Sequence, residues 1–205
     1  MSGYFISFEG TEGCGKSTHI RKLAERLQND GHTVCVVREP GGSESGEQIR
    51  RLLKHGPENL TSEAELLLMN ASRAQLVREI IRPALAAGEV VLCDRFFDST
   101  TIYQGAGRGL DSVHVQAVID FAVGETRPDL TLLLEIPLEI SEKRRAKRSG
   151  SDRFESADRE FFKRIEAGYT ALAEAEPDRI QIIDANRLPE AVQADILIAV
   201  SAALK

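Results

Sequence analysis

The sequence predicts an α/β fold, a parallel sheet with helices on both faces, and three observations point there. Short apolar, β-rich runs alternate with segments of helical periodicity along the 205 residues, as repeated strand–helix–strand units require. The run 89–94, Glu-Val-Val-Leu-Cys-Asp, is nearly all apolar inside, as a central strand buried on both faces must be. Between the first strand and the first helix stands Gly10-Thr11-Glu12-Gly13-Cys14-Gly15-Lys16-Ser17-Thr18. It fits G-x-x-x-x-G-K-[ST], the P-loop, whose context is a strand before it and a helix after it.

Residues 4–9 form the first strand. Glycines let the following loop turn tightly, and its successive N–H groups form an anion nest. The helix from about Lys16 has Ile20, Leu23, Ala24 and Leu27 on one stripe, and its positive end faces the nest. Lys16 suits the outer phosphates of a nucleotide, and the Ser17 hydroxyl suits Mg²⁺. Residues 33–38 form the second strand, broken by Glu39-Pro40-Gly41-Gly42 at its carboxyl end, where open α/β sheets bind ligands. A short helix follows at 45–54. Ser62-Glu63-Ala64-Glu65 reads as a capping box that opens a long helix through Ile81, kinked at Pro83. The third strand, 89–94, carries Asp94-Arg95-Phe96 at its end. Residues 103–109 read as a polar, glycine-rich loop and 111–123 as a helix. The fourth strand is 130–136, and a helix runs from about Pro137 to Arg148. Ser149-Gly150-Ser151-Asp152 interrupts the helical pattern, which resumes near Ala157; a flexible hairpin is expected there. Residues 179–184 form the fifth strand, and 188–204 a closing amphipathic helix. No repeat or linker divides the chain, so one domain over 1–205 is expected.

Bulk numbers narrow the function. With 42% hydrophobic and 28% charged residues, a substantial core is available. A net charge of −6 argues against a nucleic-acid polymer as partner. Cys14, Cys35 and Cys93 lack metal-ligand spacing and are odd in number; free thiols in a reducing cytoplasm are the expectation. No secretory pattern precedes the first strand, and no apolar run approaches 18 residues, so no membrane span is expected.

Among P-loop proteins, a GTPase needs an N-K-x-D guanine reader, and Asn29, Asn59, Asn70 and Asn186 supply none. A motor-type ATPase usually places a second carboxylate after the Asp of its central strand. Here Arg95 follows Asp94. A cation there suits a second anionic substrate, hence a kinase acting on a phosphorylated acceptor. A non-catalytic nucleotide-binding module stays open on these residues.

Residues 8–18, Phe8-Glu9-Gly10 through Lys16-Ser17-Thr18, closely resemble the F-E-G-x-[DE]-G-x-G-K-[ST]-T of thymidylate kinases. Arg38-Glu39-Pro40-Gly41-Gly42 is similar to the bacterial R-E-P-G-G. Asp94-Arg95-Phe96, Ser99-Thr100, Tyr103-Gln104-Gly105 and Gly107-Arg108-Gly109 resemble the family's D-R-[FYH]…S-[ST]…Y-Q-G…G-R-G block. Met69-Asn70-Ala71-Ser72-Arg73 resembles its thymine-binding helix segment, and Asp152-Arg153-Phe154-Glu155 its lid. The resemblance covers nearly the whole chain. It implies a P-loop NTPase fold of three α/β/α layers, with five parallel strands in the order 2-3-1-4-5 and a helical lid at about 144–156. It implies phosphoryl transfer from MgATP to dTMP, giving dTDP for dTTP synthesis, with Mg²⁺ as cofactor, and a cytoplasmic homodimer. A related kinase for another pyrimidine nucleoside monophosphate is the alternative.

The same resemblance implies roles. Gly10 to Thr18 would hold ATP, Lys16 taking the β- and γ-phosphates, while Ser17 and Asp94 would hold Mg²⁺. Arg95 and Arg50 would grip the acceptor phosphate, with Glu39 and Pro40 beside it. Glu12 would hold the sugar hydroxyl. Arg73 would donate to a thymine carbonyl, Ser99, Thr100 and Gln104 would complete the pocket, and Tyr103 would crowd the 2′ position. Met69 departs from the usual Phe that stacks on thymine; its thioether can also lie on a ring. Some relatives carry an arginine where Gly13 stands here, so Arg153, with Arg148 on the ATP side, would supply the cation over the transferring phosphate. Cys14, among loop amides at a helix start, is expected to react with alkylating reagents and to be protected by ATP.

Overall fold

The computed structural model describes residues 3–57, 59–146 and 158–204. Five strands form one sheet: β1 (Tyr4–Glu9), β2 (Val34–Arg38), β3 (Val90–Asp94), β4 (Leu130–Glu135) and β5 (Ile180–Asp184). Their order is β2-β3-β1-β4-β5, and every pair is parallel. The order reverses at β1, whose neighbours β3 and β4 lead to opposite edges. A crevice opens outside the carboxyl ends at such a point, and Gly10 begins there.

Register fixes which chemistry meets at that edge. Phe8 and Arg38 both pair with Asp94, so the ends of β1, β2 and β3 are level. Alternation along β1 sends Phe5 to one face and Ile6 and Phe8 to the other. On the Phe8 face lie α1 (Lys16–Asn29) and, from the end of the chain, a helix over Pro189–Ala203. On the Phe5 face lie α2 (Glu44–His55), α3 (Ser62–Leu76) and α4 (Arg82–Ala86), followed by α5 (Phe97–Thr100) and α6 (Ser112–Val123). Phe5, Phe8 and Phe96 are fully buried, each contributing about 1.5–3 kcal/mol through burial. Two further helices, α7 (Leu138–Ala146) and α8 (Arg159–Ala175), flank residues 147–157. Most of the expected lid, with Arg148 and Arg153, therefore lies outside the described residues.

Three local expectations are corrected. The long helix is interrupted earlier than its proline: residues Val77–Ile81 form a π-helical turn between α3 and α4. Pro83 has no N–H, and its ring would strike the carbonyl of Glu79, so the preceding turn widens. The capping box is shifted. Thr61 caps α3 by accepting from the Ala64 amide, and Glu65 turns into the protein. Residues 103–109 are not a loop, because Thr101–Gly107 continue α5 as a π-helical segment. Gly107 serves packing there: a Cβ would stand 2.6 Å from Phe161 of α8. Among the described residues no helix is long and apolar enough to cross a membrane.

Candidate active site

The P-loop follows from its glycines. Gly10, Gly13 and Gly15 have φ of 132°, 82° and 101°, values that L side chains rarely adopt. A Cβ on Gly10 would also stand 2.3 Å from the Leu134 carbonyl. α1 then starts at Lys16 with its first amides aimed at the crevice. Lys16 Nζ donates to the carbonyls of Gly10 and Thr11 at 2.9 and 3.2 Å and lies 3.5 Å from Cys14 Sγ. Ser17 Oγ donates to Asp94 Oδ2 at 2.7 Å. Cys14 is only 2% exposed, which counts against the ready alkylation expected of it. Helix α7 rests on the same loop: Ser141 Oγ donates to the Glu12 carbonyl at 2.8 Å and Arg144 to the Gly13 carbonyl at 2.9 Å.

Next to the loop, Arg95 has φ 70°, a strained value for a non-glycine residue. Its amide donates to the Phe8 carbonyl at 2.9 Å, and its guanidinium donates to Glu12 Oε1 at 2.7 Å, Ser99 Oγ at 2.9 Å and Tyr103 OH at 3.1 Å. Tyr103 OH donates in turn to Glu12. Burial opposes the charge on Arg95, but Tyr103, Glu12 and Tyr169 outweigh it and hold it protonated. Behind this cluster sits Glu9, the polar end of an apolar strand. It is fully buried and accepts from the Phe96 amide, Ser99 Oγ and Tyr169 OH at 2.7, 2.6 and 2.8 Å. Burial, then Asp98, raises its pKa against those bonds and against Arg95.

The far end of the crevice is built on α3 and the α5 segment. Arg73 is 2% exposed and donates to Glu39 Oε2, Asn70 Oδ1, Thr100 Oγ1 and the Phe96 carbonyl at 2.8–3.1 Å. Glu39 Oε1 is buried and meets no donor among the described residues. Desolvation exceeds the pull of Arg73 and brings the Glu39 carboxyl to about 7. The loop that carries Glu39 is pinned from both sides: Arg50 donates to the Pro40 carbonyl at 2.8 Å and Gly41 N to Ser72 Oγ at 3.0 Å. Gln104 Nε2 donates to Glu65 Oε1 at 2.7 Å, and Arg108 pairs with the same carboxylate at 3.2 Å.

These ends enclose one cavity of about 400 Å³. Of the sequence-predicted residues, Glu12, Glu39, Pro40, Arg50, Met69, Arg73, Arg95, Ser99, Thr100, Tyr103 and Gln104 all line it, with Gly13, Gly15, Lys16, Ser17, Thr18 and Asp94. Gly10 and Thr11 face a separate cleft beside β4. Sequence reasoning missed Glu9, Glu65 and Tyr169 as site-builders. Glu9 was legible as a carboxylate ending an apolar strand; Glu65 was hidden behind an apparent cap; Tyr169 left no signal. Among the described residues no group of three or more His, Cys, Asp or Glu side chains is arranged to hold a metal. Ser17 and Asp94 therefore offer two hard oxygen ligands and no complete protein cage. That suits Mg²⁺, which keeps waters and takes substrate phosphates.

Comparison with known proteins agrees with this geometry. The family described as Thymidylate kinase matches residues 8–196. A thymidylate kinase from Alcanivorax borkumensis is 49% identical over 197 residues, 96% of this chain and 95% of its own. One from Caulobacter vibrioides is 50% identical, over 95% and 94%. The crystal structure of thymidylate kinase from Ehrlichia chaffeensis superposes with a TM-score of 0.82 at 30% identity, covering 98% of this chain and all of that one.

Proposed function

The chain belongs to the thymidylate kinase family, and from that premise we propose how its cavity acts as a kinase that phosphorylates dTMP to dTDP with ATP. The observation that carries the reading is Arg95, a half-buried cation held at the lip of the P-loop and facing the far end of the same cavity. A planar guanidinium beside the donor site suits the phosphate of an acceptor. Lys16 leaves its carbonyl partners for the β- and γ-phosphates, which the loop amides and the α1 terminus cradle. Arg95 and Arg50 grip the acceptor phosphate through planar forks. An attacking phosphate oxygen is already anionic, so positioning and charge neutralisation suffice. Glu12 releases Arg95 to the phosphate and holds the sugar hydroxyl. Arg73, Ser99, Thr100, Gln104 and Met69 form the base end, with Glu39 and Pro40 beside the phosphate. Tyr103, buried beside Arg95, crowds the sugar.

Ser17 and Asp94 would hold Mg²⁺, which supplies charge neutralisation on the donor phosphates when bound. Arg153, with Arg148, supplies the cation over the transferring group; the docking of α7 on the P-loop, just before that segment, supports this role. We take residues 1–205 as one domain acting as a cytoplasmic homodimer. The adjacent helices α3 and α6 turn Leu67, Ala71, Val113, Ala117 and Phe121 outward, and an apolar stripe of that kind suits a second copy. The three cysteines are free, as a reducing compartment allows. A coupled ADP-release assay across nucleoside monophosphates, with and without Mg²⁺, tests the reading. dTMP should dominate and the metal should be required. Equal turnover of dCMP would replace the acceptor by a broader pyrimidine nucleotide. ADP release that no acceptor stimulates would remove the kinase.

A further inference from the structure

Gln104 carries an amide whose two ends are chemically opposite, so its orientation decides what the cavity offers a base. Its residue is 1% exposed and lines the cavity. The amide nitrogen donates to Glu65 Oε1 at 2.7 Å. Glu65, also 1% exposed, accepts from Arg108 as well: Nε donates to the same Oε1 at 3.3 Å and a terminal nitrogen to Oε2 at 3.2 Å. A carboxylate paired with a guanidinium is acceptor-only, so the reversed amide would set oxygen against oxygen. The orientation is therefore dictated and not merely assigned. One helical turn away, Thr100 Oγ1 accepts from Arg73 at 2.9 Å and so keeps its own hydrogen to donate.

We propose that Glu65 is a positioning residue for base choice: it holds the Gln104 amide so that Oε1 faces the cavity and accepts the N3–H of a thymine-type imide. The Thr100 hydroxyl supplies the adjacent donor for a ring carbonyl. An imide edge, carbonyl beside N–H, complements that pair. Cytosine presents a bare N3 beside an amino group, and so meets acceptor with acceptor and donor with donor. This choice lies at the edge of the base and not at its 5-methyl group. Uracil therefore passes it and must be judged elsewhere. The inference rests on the dTMP kinase reading and adds a residue that does not itself touch the substrate.

The test uses dTMP, dCMP and N3-methyl-dTMP as acceptors at saturating MgATP, with wild type and Glu65→Gln. A glutamine at 65 can face Gln104 with either end, which frees the amide to turn. The expected result is that wild type rejects the N3-methylated nucleotide, which lacks the hydrogen. In Glu65→Gln the dTMP:dCMP ratio of kcat/KM should fall by roughly 10- to 100-fold, the scale of one buried unpaired polar group. The change should sit in acceptor KM, rising for dTMP and falling for dCMP, with the KM for ATP unchanged. A merely structural Glu65 would lower both acceptors together and leave the ratio intact, and that outcome overturns the proposal. If the variant does not fold, wild type alone decides: turnover of N3-methyl-dTMP equal to that of dTMP overturns it, and rejection supports it. Wild type inert toward dTMP would remove the kinase reading itself; a preserved ratio in an active enzyme removes this inference alone.

Discussion

The two ends of the cavity are built by different means. The donor end is backbone: glycines at positive φ, the first amides of α1, and a lysine whose bonds run to carbonyls of its own loop. The acceptor end is side chain: Glu9, Glu12, Glu39, Glu65, Arg73 and Arg95 cross-linked from β1, α3, α5 and α8. A backbone cradle can be emptied and filled without reorganising the protein. A buried network of charges must be satisfied even with no ligand present, so Glu12 occupies Arg95 and Glu39 occupies Arg73. On the proposed reading, substrate binding at that end is an exchange of partners.

The largest effect should come from removing a cation that the donor end lacks. Gly13 stands where some relatives carry an arginine, so Arg153→Ala should lower kcat by about 10³-fold with little change in KM for either nucleotide, the scale and pattern of an arginine used in the transition state. Steady-state kinetics with both substrates varied measures this; a kcat within a few-fold of wild type would sink the role. An arginine restored at Gly13 should not rescue it. The site has φ 82°, and a Cβ there would lie 3.0 Å from that of Arg144.

Stability should separate the ends next. Arg73→Met leaves Glu39 buried and unpaired, a loss of about 3–5 kcal/mol. Adding Glu39→Gln should recover part of it. Lys16→Met should cost only about 1–2 kcal/mol while abolishing turnover, because its partners are backbone carbonyls at the mouth of a crevice. Denaturant unfolding of the three variants makes the comparison. Equal losses at both ends would erase the contrast.

How much of this was legible follows the same division. Glycine adopts the positive φ of the loop at no steric cost, so the donor end is spelled out between Gly10 and Thr18. Alternation and apolar runs likewise foretold the sheet, and the resemblance its order. Much of the acceptor end depends on partners far apart in sequence, such as Arg73 with Thr100, 27 residues away, and Glu9 with Tyr169, 160 residues away. No local pattern announces such pairs. Local chemistry even misled: Glu65 sits where a capping acid would, and the glycines around Gln104 read as a loop although Gly107 serves close packing against α8.

A pH series should expose Glu39. Its folded pKa, about 7, lies above the ordinary carboxyl value of 4.5, chiefly through burial, with Glu9 adding to it and Arg73 opposing. A raised folded pKa means that the native state binds the proton more tightly than the unfolded chain. The associated stability is complete below about 4.5 and is lost as pH rises toward and through 7. The loss should be on the order of 3 kcal/mol at most. Unfolding free energies at pH 5 and pH 8 should therefore converge in Glu39→Gln relative to wild type. An unchanged difference would mean that Glu39 is ionised throughout and that Arg73 alone governs it.

The smallest effect should divide Tyr103 into its two parts. Its hydroxyl bridges Glu12 and Arg95, the clamp proposed for the acceptor phosphate. The residue is 5% exposed and its ring lies 4.9 Å from the Arg95 guanidinium, in the wall proposed to stand beside the sugar. Tyr103→Phe removes only the hydroxyl. Glu12 and Arg95 still hold each other directly at 2.7 Å, so the expected loss is one hydrogen bond's worth, about 1 kcal/mol, or roughly fivefold in kcat/KM for dTMP. The preference for deoxyribose over ribose should survive, because the ring remains. Tyr103→Ala removes the wall as well, and the ratio between dTMP and its ribose counterpart should narrow. Measured side by side, the two variants separate clamp from wall. If Phe narrows the sugar ratio as much as Ala does, the hydroxyl sets the sugar preference. If neither moves it in a folded enzyme, Tyr103 packs the acceptor end and the sugar is read by another residue.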